Sequence, residues 1–383
     1  MGIYLDYNAS TPIDDRVLDV MIDIYKNKYG NADSRTHNYG VSARKVVENA
    51  REQVAHLLNV QTNEVFFTSG STESNNIAIR GLIDYGKKNG KLHIITSTIE
   101  HKAVLETVKS LAEEGFEIDL IDPDNDGRIN AKKLLKKVRD DTLLVSLMHA
   151  NNETGVIQPI DEIGVALAEK NVLFHIDATQ SVGKLVPELQ NVQYNMLSLS
   201  GHKLSGPQGV GALVLRKKRY KLPPIKAITF GGQQEHGIRP GTLPVALIAG
   251  LGKACELARL EFNENIKSYN ENKMLVMELI NQSGIKYVIN GSQKYCMPNT
   301  LNISFIGVES EALMLATKGY CGVSNGSACT SSNYSPSYVL TAMGLDQDII
   351  SSAIRFSWGA KTNKDALRTQ LMELLTVAKG LVF

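Results

Sequence analysis

Between Val65 and Leu215 the chain alternates short apolar runs with longer amphipathic stretches. The apolar runs are Glu64–Thr68, Leu92–Ser97, Phe116–Ile121, Leu143–Met148, Val172–Ile176, Met196–Ser200 and Ala212–Arg216. Each has strand length, and most are apolar along both faces, as strands of a covered sheet are. Stretches such as Glu73–Tyr85, Ala103–Glu114 and Ile160–Lys170 repeat their apolar residues at helical spacing. Strand and helix in turn predict an α/β fold with a mostly parallel central sheet and helices on both faces. In such sheets ligands sit beyond the carboxyl ends of the strands. Chemistry-bearing residues just past those runs therefore carry the most information.

The pattern changes near residue 255. Ala254 to Gln282 reads as charged helix, followed by short strands at Lys286–Asn290 and Thr300–Phe305 and helices at Glu309–Thr317 and from about Lys364 to Lys379. A smaller α+β domain is expected there. The division is residues 15–255 for a large domain, with 1–14 and 256–383 forming the small one.

Bulk properties remove several classes. Net charge is +1 over 383 residues, so no polyanion-binding surface is implied and no direct nucleic-acid contact is expected. No apolar stretch approaches the roughly 20 residues of a membrane span. The start, Met1-Gly2-Ile3-Tyr4-Leu5-Asp6, lacks a basic stretch leading into an apolar one, so no signal peptide is expected. Cys255, Cys296, Cys321 and Cys329 form no C-x-x-C pair, which argues against a zinc or redox motif. A reduced, cytoplasmic protein without a metal site follows. Asp122–Lys133 begins like a calcium loop, but its twelfth position is Lys133 rather than a bidentate Glu, so it reads as a polar turn.

Three motifs belong together. Thr68-Ser69-Gly70-Ser71-Thr72-Glu73 passes from strand through glycine to helix, and free amides with two hydroxyls there suit a phosphate. Asp177 follows a buried run, and Lys203 follows the next, in Ser200-Gly201-His202-Lys203. Each alone has a plain structural reading: a helix cap, a carboxylate held by backbone donors, a surface amine. In this order they suit pyridoxal 5'-phosphate, the amine trapping its aldehyde and the acid keeping its ring nitrogen protonated. His101, in Glu100-His101-Lys102, stands where an imidazole would stack on the ring and move protons, or cap a helix. Asn152 could donate to the ring or to a substrate carboxylate. Arg355, alternating with Ile354 and Phe356, could clamp a carboxylate or form an ion pair. Cys329 lies in the small, polar run Ser324–Asn333, which reads as a mobile loop carrying a reactive thiol.

Through these motifs the chain resembles the cysteine desulfurases of the NifS/IscS type, within fold type I of the pyridoxal phosphate enzymes. The likeness spans nearly the whole length. It rests on Tyr4–Pro12, Thr68–Asn76, Glu100-His101-Lys102, Met148–Gly155, Asp177–Ser181, Ser200–Lys203, Arg239–Thr242 and Gly326–Ser331. The resemblance implies that Lys203 carries the cofactor covalently. Ser71, Thr72, Ser200 and His202 would hold its phosphate, and Thr242 would reach the phosphate of the other subunit of a homodimer. Asp177 would pair with the ring nitrogen, Gln180 with the ring hydroxyl, and His101 would stack on the ring. Asn152 and Arg355 would hold the carboxylate of L-cysteine, and Cys329 would accept the sulfur as a persulfide. Alanine would leave, and the sulfur would pass to an acceptor protein, an Fe–S scaffold or a modification enzyme.

His236 departs from the pattern, standing where such proteins mostly carry Arg. Ser34–His37, Arg239–Pro244 and Leu340–Leu345 look closest to the branch that supplies sulfur for DNA phosphorothioate modification. The alternatives are a selenocysteine lyase, a pyridoxal phosphate aminotransferase, or a non-catalytic docking subunit of a DNA-modification complex.

Overall fold

A computed structural model of the chain describes residues 2–326 and 336–382. Its strands, in chain order, are β1 (Ile3–Tyr4), β2 (Val65–Thr68), β3 (His93–Ser97), β4 (Glu117–Ile121), β5 (Thr142–Met148), β6 (Leu173–Asp177), β7 (Met196–Ser200), β8 (Gly211–Leu215), β9 (Tyr287–Ile289), β10 (Thr300–Phe305), β11 (Cys321–Gly322) and β12 (Ala353–Ser357). Among the described residues the main sheet runs β2-β8-β7-β6-β5-β3-β4. β8 is antiparallel to both its neighbours, and the remaining pairs are parallel.

Side-chain alternation assembles the layers. Phe67, Ile95, Val145, Leu147, Leu197, Leu199, Ala212 and Val214 face one way, into a core shared with the helices Asp15–Asn27, Asn38–Leu58, Ile160–Lys170 and Val245–Leu260. Phe66, Ile94, Met196, Leu213 and Leu215 face the other way, onto the helices Ser71–Arg80 and Lys102–Ala112. β3, β5, β7 and β8 are buried throughout, as the unbroken apolar runs required. β4 closes one edge and exposes Glu117, a charge that discourages pairing with another chain.

The helix expected over Glu73–Tyr85 is two helices, Ser71–Arg80 and Ile83–Asn89. The break falls at Gly81, where a Cβ would come within 2.5 Å of Ile225 Cγ2 and 2.8 Å of the Lys226 carbonyl. The charged helix expected from Ala254 likewise divides, into Val245–Leu260 and Phe262–Ser283. The composition shift at 255 thus falls inside a helix whose buried face packs on the main-sheet core through Ala258.

A second sheet, β12-β10-β9, is antiparallel. Its core holds Leu301, Ile303, Ile354, Phe356 and Trp358 against the helices Phe262–Ser283 and Lys364–Gly380. The amino-terminal segment joins it: Leu5 is part of this core, β1 pairs with β11, and Asp6 bridges to Ser357. Residues 6–12 therefore run from the second sheet to the carboxyl ends of β6 and β7. Among the described residues no helix is long and apolar enough to cross a membrane.

Candidate active site

Asp177 closes β6, and Lys203 ends the short turn Gly201–Lys203 directly after β7. These strands are neighbours, with Asp177 opposite Ser198, so register alone brings the acid and the amine to one end of the sheet. Asp177 is 5% exposed. Its Oδ2 accepts from Asn75 Nδ2 at 2.9 Å, and its Oδ1 accepts from the Thr179 amide at 3.0 Å and from the Thr179 hydroxyl. Both oxygens are held, which fixes the carboxylate plane. Lys203 Nζ donates to the Asn8 and Ala9 carbonyls at 2.5 and 2.7 Å. Behind it, Lys184 Nζ donates to the Gln180 and Lys203 carbonyls at 3.0 and 2.9 Å, and burial pulls its pKa down to about 7.

The phosphate turn stands at the next carboxyl end. Gly70 precedes the helix Ser71–Arg80 with φ 153°, a backbone conformation open to glycine. β8 presses against it: a Cβ on Gly211 would lie 2.7 Å from Gly70 Cα. Ser200 is buried beside this turn, with its Oγ 3.6 Å from where a Gly70 Cβ would be. His202 pairs through Nδ1 with Ser10 Oγ at 3.2 Å. Burial, reinforced by the charges of Lys203 and Lys184, pulls its pKa to about 4, so at neutral pH it is an uncharged imidazole.

His101 caps a helix and also borders a cavity. Its Nδ1 accepts from the Ala103 amide at 3.1 Å, capping Lys102–Ala112. One side of the residue meets solvent, yet the protein around the ring, more than the charges of Lys203 and Lys102, holds its pKa below the usual value. Arg355 makes an ion pair and borders the same cavity. The guanidinium, on β12 and nearly buried, pairs with Asp6 and donates to the Asn152 carbonyl at 2.9 Å.

These groups surround a cavity of about 170 Å³. Ser71, Thr72, His101, Asn152, Asp177, Gln180, His202, Lys203 and Arg355 all line it. Ser200 does not line it. Thr242 lies outside it, on an exposed strip that Arg239 ties to the phosphate turn through Glu73 at 3.0 Å. Cys329 lies outside the described residues. Cys255 and Cys321 are buried, with thiols pushed up to about 12, as expected of structural cysteines.

The cavity's own polar atoms suit pyridoxal 5'-phosphate. Asn152 Oδ1, Gln180 Oε1 and Arg355 Nε are buried without a partner among the described residues. Buried polar atoms rarely remain unpaired, so this lining is built for a polar ligand. A glycine turn at a helix start, an oriented acid and an amine just past the neighbouring strand suit the phosphate, the pyridine nitrogen and the aldehyde of that cofactor. Sequence reading missed the supports: Asn8, whose carbonyl takes both Lys203 Nζ and Gln180 Nε2, together with Asn75 and Lys184. Asn75, one turn into the helix after Ser71, was the one with a readable position.

Comparison with known proteins agrees with this geometry. The family model "Aminotransferase class-V" matches residues 3–368. "Cysteine desulfurase IscS" of Anaeromyxobacter dehalogenans (strain 2CP-C) is 45% identical over 359 residues, covering 93% of this chain and 87% of that protein. A solved structure titled "NIFS-LIKE PROTEIN" superposes with a TM-score of 0.90 at 37% identity over 100% of both chains. DndA from Streptomyces lividans does so with a TM-score of 0.81 at 42% identity, over 92% of this chain and 98% of that one. The chain belongs to the class-V aminotransferase family, in its NifS/IscS group. It is a pyridoxal-phosphate-dependent enzyme of fold type I.

Proposed function

We propose that this protein is a cysteine desulfurase that converts L-cysteine to L-alanine and passes the sulfur, as a persulfide on Cys329, to an acceptor protein in the cytoplasm. The observation that carries the reading is the placement of Asp177 and Lys203 on adjacent strand ends, facing one cavity with the Gly70 turn. When bound there, pyridoxal phosphate supplies an electron sink that lowers the cost of removing the substrate α-proton.

The protein's own groups do the rest. Ser71, Thr72, Ser200 and His202 would hold the phosphate, the neutral His202 as a donor that adds no charge. Asp177, pinned by Asn75 and Thr179, would favour a proton on the ring nitrogen. Gln180 would pair with the ring hydroxyl. Asn152 and Arg355 orient the substrate carboxylate, with Arg355 Nε the donor left over from its internal pairs. The Lys203 amine takes the α-proton, and His101, whose Nδ1 accepts from the Ala103 amide and whose neutral ring therefore carries its proton on Nε2, gives that proton up and takes it back. The Cys329 thiolate attacks the substrate sulfur. The new S–S bond forms as the substrate Cβ–Sγ bond breaks, and the three-carbon product is protonated to alanine.

The reading includes a homodimer in which Thr242 contacts phosphate bound in the partner subunit. Its exposure, outside its own cavity, and the Arg239–Glu73 tie support this. It also includes the division into units of 15–255 and of 1–14 with 256–383. The acceptor is an Fe–S scaffold or a modification enzyme. Cys329→Ser tests the reaction: it should bind cofactor and cysteine as the parent does and form no alanine. Full turnover by that variant overturns the assignment, and keto-acid release in place of sulfur transfer favours an aminotransferase.

A further inference from the structure

Glu153 is a buried acid that this chemistry leaves without a task. It is 2% exposed and follows Asn152 in the turn after β5. Its backbone is locked: its amide donates to Asn151 Oδ1 at 2.9 Å, and its carbonyl accepts from Asn302 Nδ2 at 3.2 Å. Its carboxyl meets two residues far along the chain. Ser337 Oγ donates to Oε2 at 2.5 Å. A Cβ on Gly326 would lie 2.5 Å from that same oxygen and 2.9 Å from Cδ, so the Gly326 backbone rests directly on the carboxyl group. Gly326 also has φ 82°. Glycine is needed there both for its conformation and for the closeness of approach.

Each contact continues into fixed structure. The Gly326 amide donates to Ser324 Oγ at 3.3 Å. Ser324 and Arg355 exchange backbone hydrogen bonds, Ser324 N to Arg355 O at 3.3 Å and Arg355 N to Ser324 O at 2.6 Å. Arg355 in turn holds the Asn152 carbonyl. On the other side, Ser337 Oγ accepts from Leu340 N at 3.1 Å and so caps the helix Tyr338–Ala342. One carboxyl thus joins both sequence flanks of the stretch that carries Cys329 to the wall that would hold the substrate carboxylate. Reach makes this matter. Cys329 follows Gly326 by only three residues in the chain. A misplacement of ~1 Å in reacting groups can cost about a hundredfold in rate.

We propose that Glu153 is a positioning residue for sulfur transfer: it ties Gly326 and Ser337 to each other and to the Asn152–Arg355 wall, so that the Cys329 thiol is delivered to the substrate sulfur. This rests on Cys329 being the acceptor. An acid that only filled space would affect stability, with cofactor uptake, cysteine binding and turnover following it together. A positioning residue separates binding from transfer.

The test uses the cofactor-loaded enzyme with Glu153→Ala, Glu153→Gln and Ser337→Ala, and Cys329→Ser beside them. Cofactor content is read from visible absorbance, cysteine binding from the spectral change on titration, and transfer from alanine formation. Glu153→Ala should keep cofactor content and the half-saturating cysteine concentration within about twofold, while kcat falls at least about tenfold. Glu153→Gln, which retains an oxygen for Ser337, should recover most of that loss. Ser337→Ala should lower kcat in the same direction, with the double variant no worse than Glu153→Ala, as expected of residues acting as one unit. If Glu153→Ala does not fold, Ser337→Ala decides by the same split. A kcat within twofold of the parent, or cysteine binding weakened in proportion to kcat, overturns the proposal. Turnover by Cys329→Ser would instead overturn the acceptor assignment, which keeps the two failures distinct.

Discussion

Asn75 Nδ2 donates to Asp177 Oδ2 at 2.9 Å, in a contact where both residues are buried. It joins the helix that begins at the phosphate turn to the acid at the end of β6, so the two ends of the cofactor site are set by one bond. Asn75→Ala should leave one Asp177 oxygen unsatisfied, at a cost of about 1–3 kcal/mol. The expected outcome is a lower melting temperature together with cofactor affinity weakened about tenfold, read by absorbance titration of the cofactor-free protein. Unchanged affinity would remove Asn75 from the site.

Gly211 marks the tightest backbone approach near the cavity. A Cβ there would lie 2.4 Å from the Leu199 carbonyl oxygen and 2.7 Å from Gly70 Cα. Both obstacles are backbone, so Gly211→Ala must move β7 or the phosphate turn. Overpacking of this kind costs about 1–3 kcal/mol. Denaturant unfolding should show that loss, and the purified variant should retain less cofactor than the parent.

Arg51 and Glu235 form a buried two-point ion pair, at 2.9 and 2.8 Å, and Glu235 also accepts from the Phe67 amide at 2.8 Å. The pair fastens the strip leading to Arg239 and Thr242 against β2. Arg51→Met leaves a buried carboxylate without its partner, which typically costs about 3–5 kcal/mol. Urea unfolding midpoints of the two proteins check this.

Glu100 supplies a pH signature. Its carboxyl is fully buried, with Ser97 Oγ donating at 2.5 Å, and burial, aided by the charge of Asp177, pushes its pKa up to about 8. The unfolded chain releases this proton near the ordinary value of 4.5, whereas the folded chain keeps it to about 8. The contribution is therefore complete below the lower value and is lost as pH rises through that window, at a limiting ~1.4 kcal/mol per pH unit. Glu100→Gln lacks the titration. Melting curves from pH 5 to about 8 should show the variant gaining on the parent as pH rises, and a constant gap would contradict the assigned direction.

The main sheet was legible because its strands are buried on both faces and so read as apolar runs. The cavity was legible because its residues follow those runs directly: Asp177 after β6, Lys203 after β7 and Ser71 after β2. The breaks at Gly81 and Glu261 were not legible, since they depend on what packs against the helix from elsewhere. Asn8 was missed for the same reason. Its carbonyl meets Lys203 and Gln180 because residues 6–12 cross from the second sheet, and no local pattern reports that path. Glu153 and Lys184 are hidden more deeply. A charged residue beside a strand end ordinarily reads as solvated surface, and only the fold reveals that both are enclosed.

The most direct measurement is reduction of the cofactor-loaded protein with borohydride, followed by peptide mass mapping. The account predicts a stable cofactor adduct on Lys203, with Lys184 and every other lysine unmodified, and no adduct in Lys203→Ala. An adduct on another lysine, or none at all in protein that has taken up cofactor, would contradict it.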